Sequence, residues 1–340
     1  VTAADNANPI VVEVTRGGAV ESRHRGAAAV VDAEGALVAA WGDVDRPVFP
    51  RSAVKPIQAI PLVETGAADR FAVTDEELAL ACASHGGAPE HLRVAADWLR
   101  RIGLGPEFLV CGPHPPMCES AAAALVRAGR APSSLHNNCS GKHAGFLTTA
   151  LHLGAPSAGY GAPDHPVQQR VRQALAELGG VDLRDSVEGI DGCGVPVIAM
   201  PLSAIARGFA ALADPNRLSP RRAAAIRRIV AAMTAHPYLV AGRGRFETVV
   251  MRACAGAVIV KGGAEGVSAA ALPEKGLGIA VKIDDGAKRA VEPVMAALLA
   301  RFAGLERRGR AALAPYLDRP ITTTAGARVG TIRLSPGWPD

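Results

Sequence analysis

Apolar residues alternate or cluster in short runs at both ends of the chain and recur every third or fourth position through its middle. Near the N-terminus, Ile10-Val-Val-Glu-Val-Thr15, a Gly17-Gly18 turn, Ala27-Ala-Ala-Val-Val-Asp32 and Leu37-Val-Ala-Ala-Trp41 predict an antiparallel meander. From Ser52 to about Val240 helical periods take over, among them 75–82, 89–102, 166–178 and 220–235. Strand character returns at 257–261, 267–272 and 277–283, joined by the turns Gly262-Gly263 and Glu274-Lys275-Gly276, and a last helix is expected over 287–302. Strands at both ends with helices between them predict an α+β fold, an α/β sandwich. Residues 8–50 and 245–340 supply its one antiparallel sheet, and residues 51–244 form the helical layer. With no fixed-period repeat and no obvious linker, residues 1–340 are expected to form one compact catalytic domain.

Composition narrows the class without changing that picture. The 340 residues are 49% hydrophobic and 20% charged, as expected of a globular protein rather than a disordered or fibrous one. The formal charge of +5 is spread over scattered arginines, and aromatics make up only 4%. This argues against nucleic-acid binding, which needs a denser basic stripe and stacking rings. No apolar stretch reads as long enough to span a bilayer, and Val1-Thr-Ala-Ala-Asp-Asn-Ala-Asn-Pro9 lacks the features of a secretory signal. The expectation is a cytoplasmic protein with no membrane partner. Its six cysteines (82, 111, 118, 139, 193 and 254) are then expected to be reduced, and to serve as core, metal-binding or catalytic groups.

The chemistry begins at Arg51-Ser-Ala-Val-Lys-Pro56. If a helix starts at about Ser52, Lys55 lies on the same face and its amine can reach the Ser52 hydroxyl. Backbone N–H groups of the first turn would then face a developing oxyanion. Alone, the pattern reads equally as a serine cap followed by an ordinary lysine. A lysine base needs its charged form disfavoured by burial or by a second cation. Lys261, at the end of an apolar strand and followed by Gly262-Gly263, is the best second cation, although an edge-strand lysine has the same appearance. Ser84 and His85 sit before Gly86-Gly87, in a setting that suits either a tight site or a plain turn.

His136-Asn-Asn-Cys-Ser-Gly-Lys-His-Ala-Gly145 is dense in polar groups and opens a helix expected over 142–153. It is not a phosphate-binding loop, because no glycine stands five positions before Gly141 and His143 replaces the required hydroxyl residue. Cys139 and the distant Cys193 read as a metal thiolate pair or as buried free thiols. Cys111-x-x-His114-x-x-x-Cys118 has closer metal-like spacing within a proline-rich loop. There is no dinucleotide fingerprint, zincin motif, nucleophile elbow or EF-hand loop.

Taken in order, Arg-Ser-x-x-Lys-Pro at 51–56, Cys-Ala-Ser-His at 82–85, Asn-Cys-Ser-Gly-Lys-His at 138–143, Asp-Gly-Cys at 191–193 and Lys261 resemble the rhizobial-type, class 3 L-asparaginases, the asparaginase II family. The likeness runs from about residue 10 to residue 290. It implies a fold similar to serine β-lactamases and glutaminases, L-asparagine as small-molecule substrate, and a homodimer. It also implies two tandems, Ser52 with Lys55 and Ser84 with Lys261, in which Ser52 attacks. Cys139, Lys142 and Cys193 would hold an ancillary zinc. Arg51, Asn137, His143 and Asp191 would take substrate-binding and supporting positions. A glutaminase or β-lactamase-like serine hydrolase, and a non-catalytic zinc- or ligand-binding protein on the same fold, are the alternative readings.

Overall fold

The computed structural model describes residues 7–339. They divide into two compact units, the first within Val1–Ala53, Met200–Asp214 and Val249–Asp340, the second Val54–Ala199 and Pro215–Thr248.

The first unit is built on an eight-stranded antiparallel sheet drawn from both ends of the chain, as the hydrophobic pattern predicts. Its path runs Asp318–Thr322, Arg328–Leu334, Ile10–Arg16, Ala19–Asp32, Leu277–Ile283, Val267–Leu272, Ile259–Gly262, with Leu37–Trp41 also paired to Ala19–Asp32. The long strand Ala19–Asp32 changes character midway. Its first residues alternate in exposure and pair with Ile10–Arg16, whereas Gly26–Val31 are buried at every position and pair with Leu277–Ile283. A continuous apolar run such as Ala27-Ala-Ala-Val-Val31 is what a strand covered on both faces requires.

That cover comes from the helices Leu202–Ala213 and Lys288–Phe302, both of which contact Leu277–Ile283. Gly278 is the contact point of the former: a Cβ there would lie 2.0 Å from the Ala206 carbonyl oxygen and 2.2 Å from the Ala210 nitrogen. Only a residue without a side chain lets helix and strand backbones approach this closely. The strands Asp318–Thr322 and Arg328–Leu334 were not picked out by periodicity, and their burial explains why: the first is largely exposed, the second has a single buried residue, and neither has an apolar alternation to show.

The second unit is helical. Pro89–Arg101, Pro166–Gly179 and Pro220–Ala235 each open on a proline, at the position where a missing N–H costs least. Asp75–Ala81 starts at a capping box in which the Thr74 hydroxyl accepts from Glu77 N–H and the Glu77 carboxylate accepts from Thr74 N–H. Ser140–Leu153 is buried at every position from Ser140 to Ala150, so it runs through the interior rather than along the surface. Gly141 makes that possible, since a Cβ there would stand 2.3 Å from the Leu80 carbonyl oxygen. The unit's one hairpin among the described residues, Glu188–Ile190 with Pro196–Ile198, carries Cys193 in its turn.

Candidate active site

In the first unit, the chain enters the 51–56 motif through a 3-10 turn, Arg51–Val54, and the α-helix begins only at Lys55. Ser52 therefore lies before the α-helix, whose cap position is Val54 with no side-chain cap bond. Arg51 takes a left-handed backbone (φ 51°), costly for a residue with a side chain, and this sharp corner sets where Ser52 stands. The neighbouring loop fits closely against that corner: a Cβ on Gly263 would lie 2.9 Å from the Pro50 carbonyl oxygen and 3.1 Å from Ala53 N. The first unit thus brings the Ser52 turn and the end of the Lys261 strand together. Lys261 is buried and its Nζ donates to the Gly262 carbonyl oxygen at 2.7 Å.

In the second unit, a contiguous polar cluster forms from segments far apart in sequence. Lys55, only 1% exposed, donates to the Ala83 carbonyl oxygen at 2.5 Å and to Ser84 Oγ at 3.1 Å. Its amine also hydrogen-bonds the Cys139 thiol. Cys139 is hydrogen-bonded to Cys193, whose sulfur accepts from Lys142 Nζ at 3.0 Å. The bond from Cys193, with the Lys55 and Lys142 charges, holds the Cys139 thiol well below the usual cysteine range despite burial, while Cys193 is pushed up by its bond to Cys139 and by burial. Burial works against the Lys142 ammonium, but Cys139, Cys193 and Asp191 outweigh it and hold its pKa above the ordinary value.

The local folding reasons can be read residue by residue. Ser84 follows directly on the helix Asp75–Ala81, where its N–H donates to the Val240 carbonyl oxygen at 2.9 Å. His85 is fully buried: its Nδ1 accepts from Gly87 N–H (3.1 Å), so its Nε2–H donates to Ser140 Oγ (2.9 Å). Burial first, then nearby cations and histidines, push its pKa well below the usual value, so it is a neutral tie between the Ser84 segment and the start of Ser140–Leu153. Asp191 shapes the turn that presents Cys193, its Oδ1 accepting from Gly192 N–H at 2.7 Å.

Among the residues expected around a substrate, Asn137 is held on both sides of its amide. Its Nδ2 donates to the Cys111 and Gly112 carbonyls (2.8 and 2.9 Å) and its Oδ1 accepts from Cys139 N–H (2.9 Å), so it clamps a loop to the Cys139 turn. His143 is buried, bonded through Nδ1 to the Tyr160 hydroxyl at 2.7 Å, and its Nε2 has no partner among the described residues. Tyr160 is the part of this cluster that the motif reading left out, and His85, the last residue of the Cys-Ala-Ser-His motif, was given no role there. Tyr160 is one of three tyrosines in the chain, and nothing in the sequence around it marked it.

The donor set fits a zinc ion. Two buried sulfurs lie beside the Lys142 nitrogen; thiolates are ligands zinc accepts, and the lysine amine would become one by losing its proton as the metal binds. Among the described residues no group of three or more His, Cys, Asp or Glu side chains is arranged to hold a metal, so the lysine would be needed as third ligand. No helix among the described residues is long and apolar enough to cross a membrane.

Comparisons with known proteins bear on this geometry. Among solved structures, Mglu in its native form is similar over 86% of this chain and 64% of its own, with 17% identity and a TM-score of 0.43. The chain therefore spans slightly under two thirds of that protein. A β-lactamase from Mycobacterium bovis is 16% identical over 86% of this chain and 94% of its own (TM-score 0.41). A putative β-lactamase from Bacteroides dorei DSM 17855 is 13% identical over 82% and 93% (TM-score 0.43). No curated protein sequence matches significantly. The family profile described as L-asparaginase II matches residues 12–334, which carries the likeness well past residue 290. Nearly the whole chain, including all five motifs that meet in these clusters, is covered by that match, and the chain belongs to the L-asparaginase II family.

Proposed function

We propose that the chain is an amidohydrolase that converts L-asparagine to L-aspartate and ammonia by acyl transfer through serine. The observation that carries this reading is the buried lysine–serine bond, Lys55 Nζ to Ser84 Oγ at 3.1 Å, in a chain of this family. Lys55 follows Ser52 by three positions in sequence and touches Ser84, and it is assigned as the base for both hydroxyls.

Ser52 Oγ attacks the side-chain carbonyl carbon while Lys55, acting as base once it has given up its own proton to solvent, takes the hydroxyl proton. The C–N bond breaks as Ser84 gives its proton to the leaving nitrogen and recovers one from Lys55, so ammonia departs and an ester remains on Ser52. Lys261 is assigned to the same relay with Ser84. Water then attacks the ester, its proton returns along the reverse route, and aspartate leaves with Ser52 restored. Arg51 and His143 are assigned to the α-carboxylate of the substrate and Asp191 to its ammonium, which are complementary charges or donors. Asn137 supports the loop beneath.

Cys139, Lys142 and Cys193 would hold zinc, which when bound supplies fixed positive charge and a rigid anchor for the hairpin turn and the start of Ser140–Leu153. A serine already supplied with lysine bases needs no metal-bound hydroxide. Purified protein is expected to bind zinc, and Cys193→Ser to lose it.

Ammonia release measured with L-asparagine, L-glutamine and a β-lactam hydrolysis control tests the assignment. Turnover of asparagine above the other two supports it. Preference for glutamine or a β-lactam replaces it with the corresponding serine hydrolase, and no turnover of any leaves a ligand-binding protein.

A further inference from the structure

We propose that Tyr160 is a positioning residue that sets the tautomer of His143 and so keeps a proton donor, the His143 Nε2–H, available to a bound ligand. The donor inventory of one buried hydroxyl leads there. Tyr160 is 0% exposed, and its oxygen accepts from the Val110 N–H at 3.1 Å. Its own hydrogen has one acceptor among the described residues, His143 Nδ1 at 2.7 Å. A buried hydroxyl hydrogen goes to the acceptor within reach, so Nδ1 must present a lone pair. An imidazole whose Nδ1 accepts can carry only one hydrogen. That hydrogen is therefore on Nε2, where it is buried and has no partner among the described residues.

A buried N–H with no protein acceptor among the described residues needs an acceptor from outside the chain. The candidates are a carboxylate or amide oxygen of the substrate, or the water of a bound metal. This rests on the amidohydrolase reading for the identity of the ligand, and on geometry alone for the tautomer. The surroundings hold the pair rigidly. The His143 ring meets Tyr160 edge to face (5.6 Å, 75°) and Phe146 likewise (6.0 Å, 60°). The Tyr160 carbonyl accepts from buried Gln168 at 2.9 Å. The next residue, Gly161, abuts the Cys193 turn, since a Cβ there would lie 3.0 Å from the Gly194 carbonyl oxygen. Tyr160 thus ties the ring orientation of His143 to the turn that carries Cys193.

Two measurements on the full chain test this. Long-range proton–nitrogen correlation of histidine-labelled protein, with the His143 signals assigned by their loss in His143→Gln, is expected to show the Nε2-protonated tautomer in the wild type and a mixture in Tyr160→Phe. A wild-type ring protonated on Nδ1, or a tautomer unmoved by Tyr160→Phe, overturns the proposal. With L-asparagine as substrate, Tyr160→Phe is expected to lower kcat/KM by about 10–100-fold, the usual cost of removing the group that orients a functional histidine. His143→Gln keeps a donor near the Nε2 position. In that background Tyr160→Phe should change kcat/KM by no more than about twofold, because residues acting through one group are not additive. Equal losses in both backgrounds would show that Tyr160 acts structurally. If the wild type releases no ammonia, the hydrolase reading fails while the nitrogen spectrum still decides the tautomer.

Discussion

Lys55 Nζ lies 3.1 Å from Ser84 Oγ, although 29 positions separate the two residues in sequence. The resemblance had assigned Ser84 to Lys261 and Lys55 to Ser52. The bond places Lys55 against the second serine, the arrangement a proton relay needs. Lys55→Met and Ser84→Ala should each lower kcat/KM for L-asparagine by about 10³-fold or more, and the double variant should be no worse than the worse single one. Steady-state kinetics of the three variants checks this. Additive losses would mean that the pair does not act as a unit.

Two glycines separate activity from stability. A methyl group at Gly263 meets the backbone of the Ser52 turn at 2.9 Å and must shift it. Gly263→Ala should therefore cost about 10²-fold in kcat/KM, the effect of a misplacement of about 1 Å, with a small change in Tm. At Gly278 the methyl group would collide with the helix Leu202–Ala213, far tighter than any relaxed contact. Gly278→Ala should destabilise by about 3 kcal/mol, as overpacking does, and reduce the yield of folded protein. Thermal unfolding and kinetics on both variants distinguish the two.

Acid should weaken the fold through His85. Its pKa is held well below the ordinary histidine value by burial first, and by neighbouring positive groups and histidines after that. Below about pH 6.5 the unfolded chain takes up a proton that the folded chain resists. The stability associated with neutral His85 is present above that pH and is lost progressively as the pH falls toward the depressed folded value. The slope approaches about 1.4 kcal/mol per pH unit for this one proton. Urea unfolding between pH 7 and pH 5 should show it, and a His85→Gln variant that still folds should show a shallower slope.

The thiols should differ sharply in reactivity. Cys118 is only part-buried, and its pKa is lowered by the Ser120 hydroxyl (3.2 Å), then by the Ala121 amide, with Arg243 adding a smaller effect. Burial pushes Cys111 up to about 12 and Cys254 up to about 11. Iodoacetamide at neutral pH should alkylate Cys118 first, and Cys118→Ser should remove that fast phase, as peptide mapping will show.

Much of the architecture was legible because burial imposes period. The strand expected over 277–283 and the helix expected over 220–235 match their observed bounds, each having a continuous or regularly spaced apolar face to report. The site was legible as motifs but not as pairings. Nothing in spacing says that Lys55 meets Ser84, because the two lie 29 positions apart on segments that only tertiary packing brings together. The expected helix start at Ser52 fell three residues early, because the left-handed Arg51 and the 3-10 turn after it depend on the fit against Gly263, a contact more than two hundred residues away in sequence. Tyr160 carried no motif at all, and only its buried hydroxyl, seen in three dimensions, gives it meaning.

The most direct test of acyl transfer through Ser52 is mass spectrometry of enzyme quenched during turnover of L-asparagine, followed by peptide mapping. The account predicts a β-aspartyl ester on the peptide containing Ser52, absent in Ser52→Ala. An ester on Ser84 instead, or turnover with no covalent adduct in either serine peptide, would contradict it.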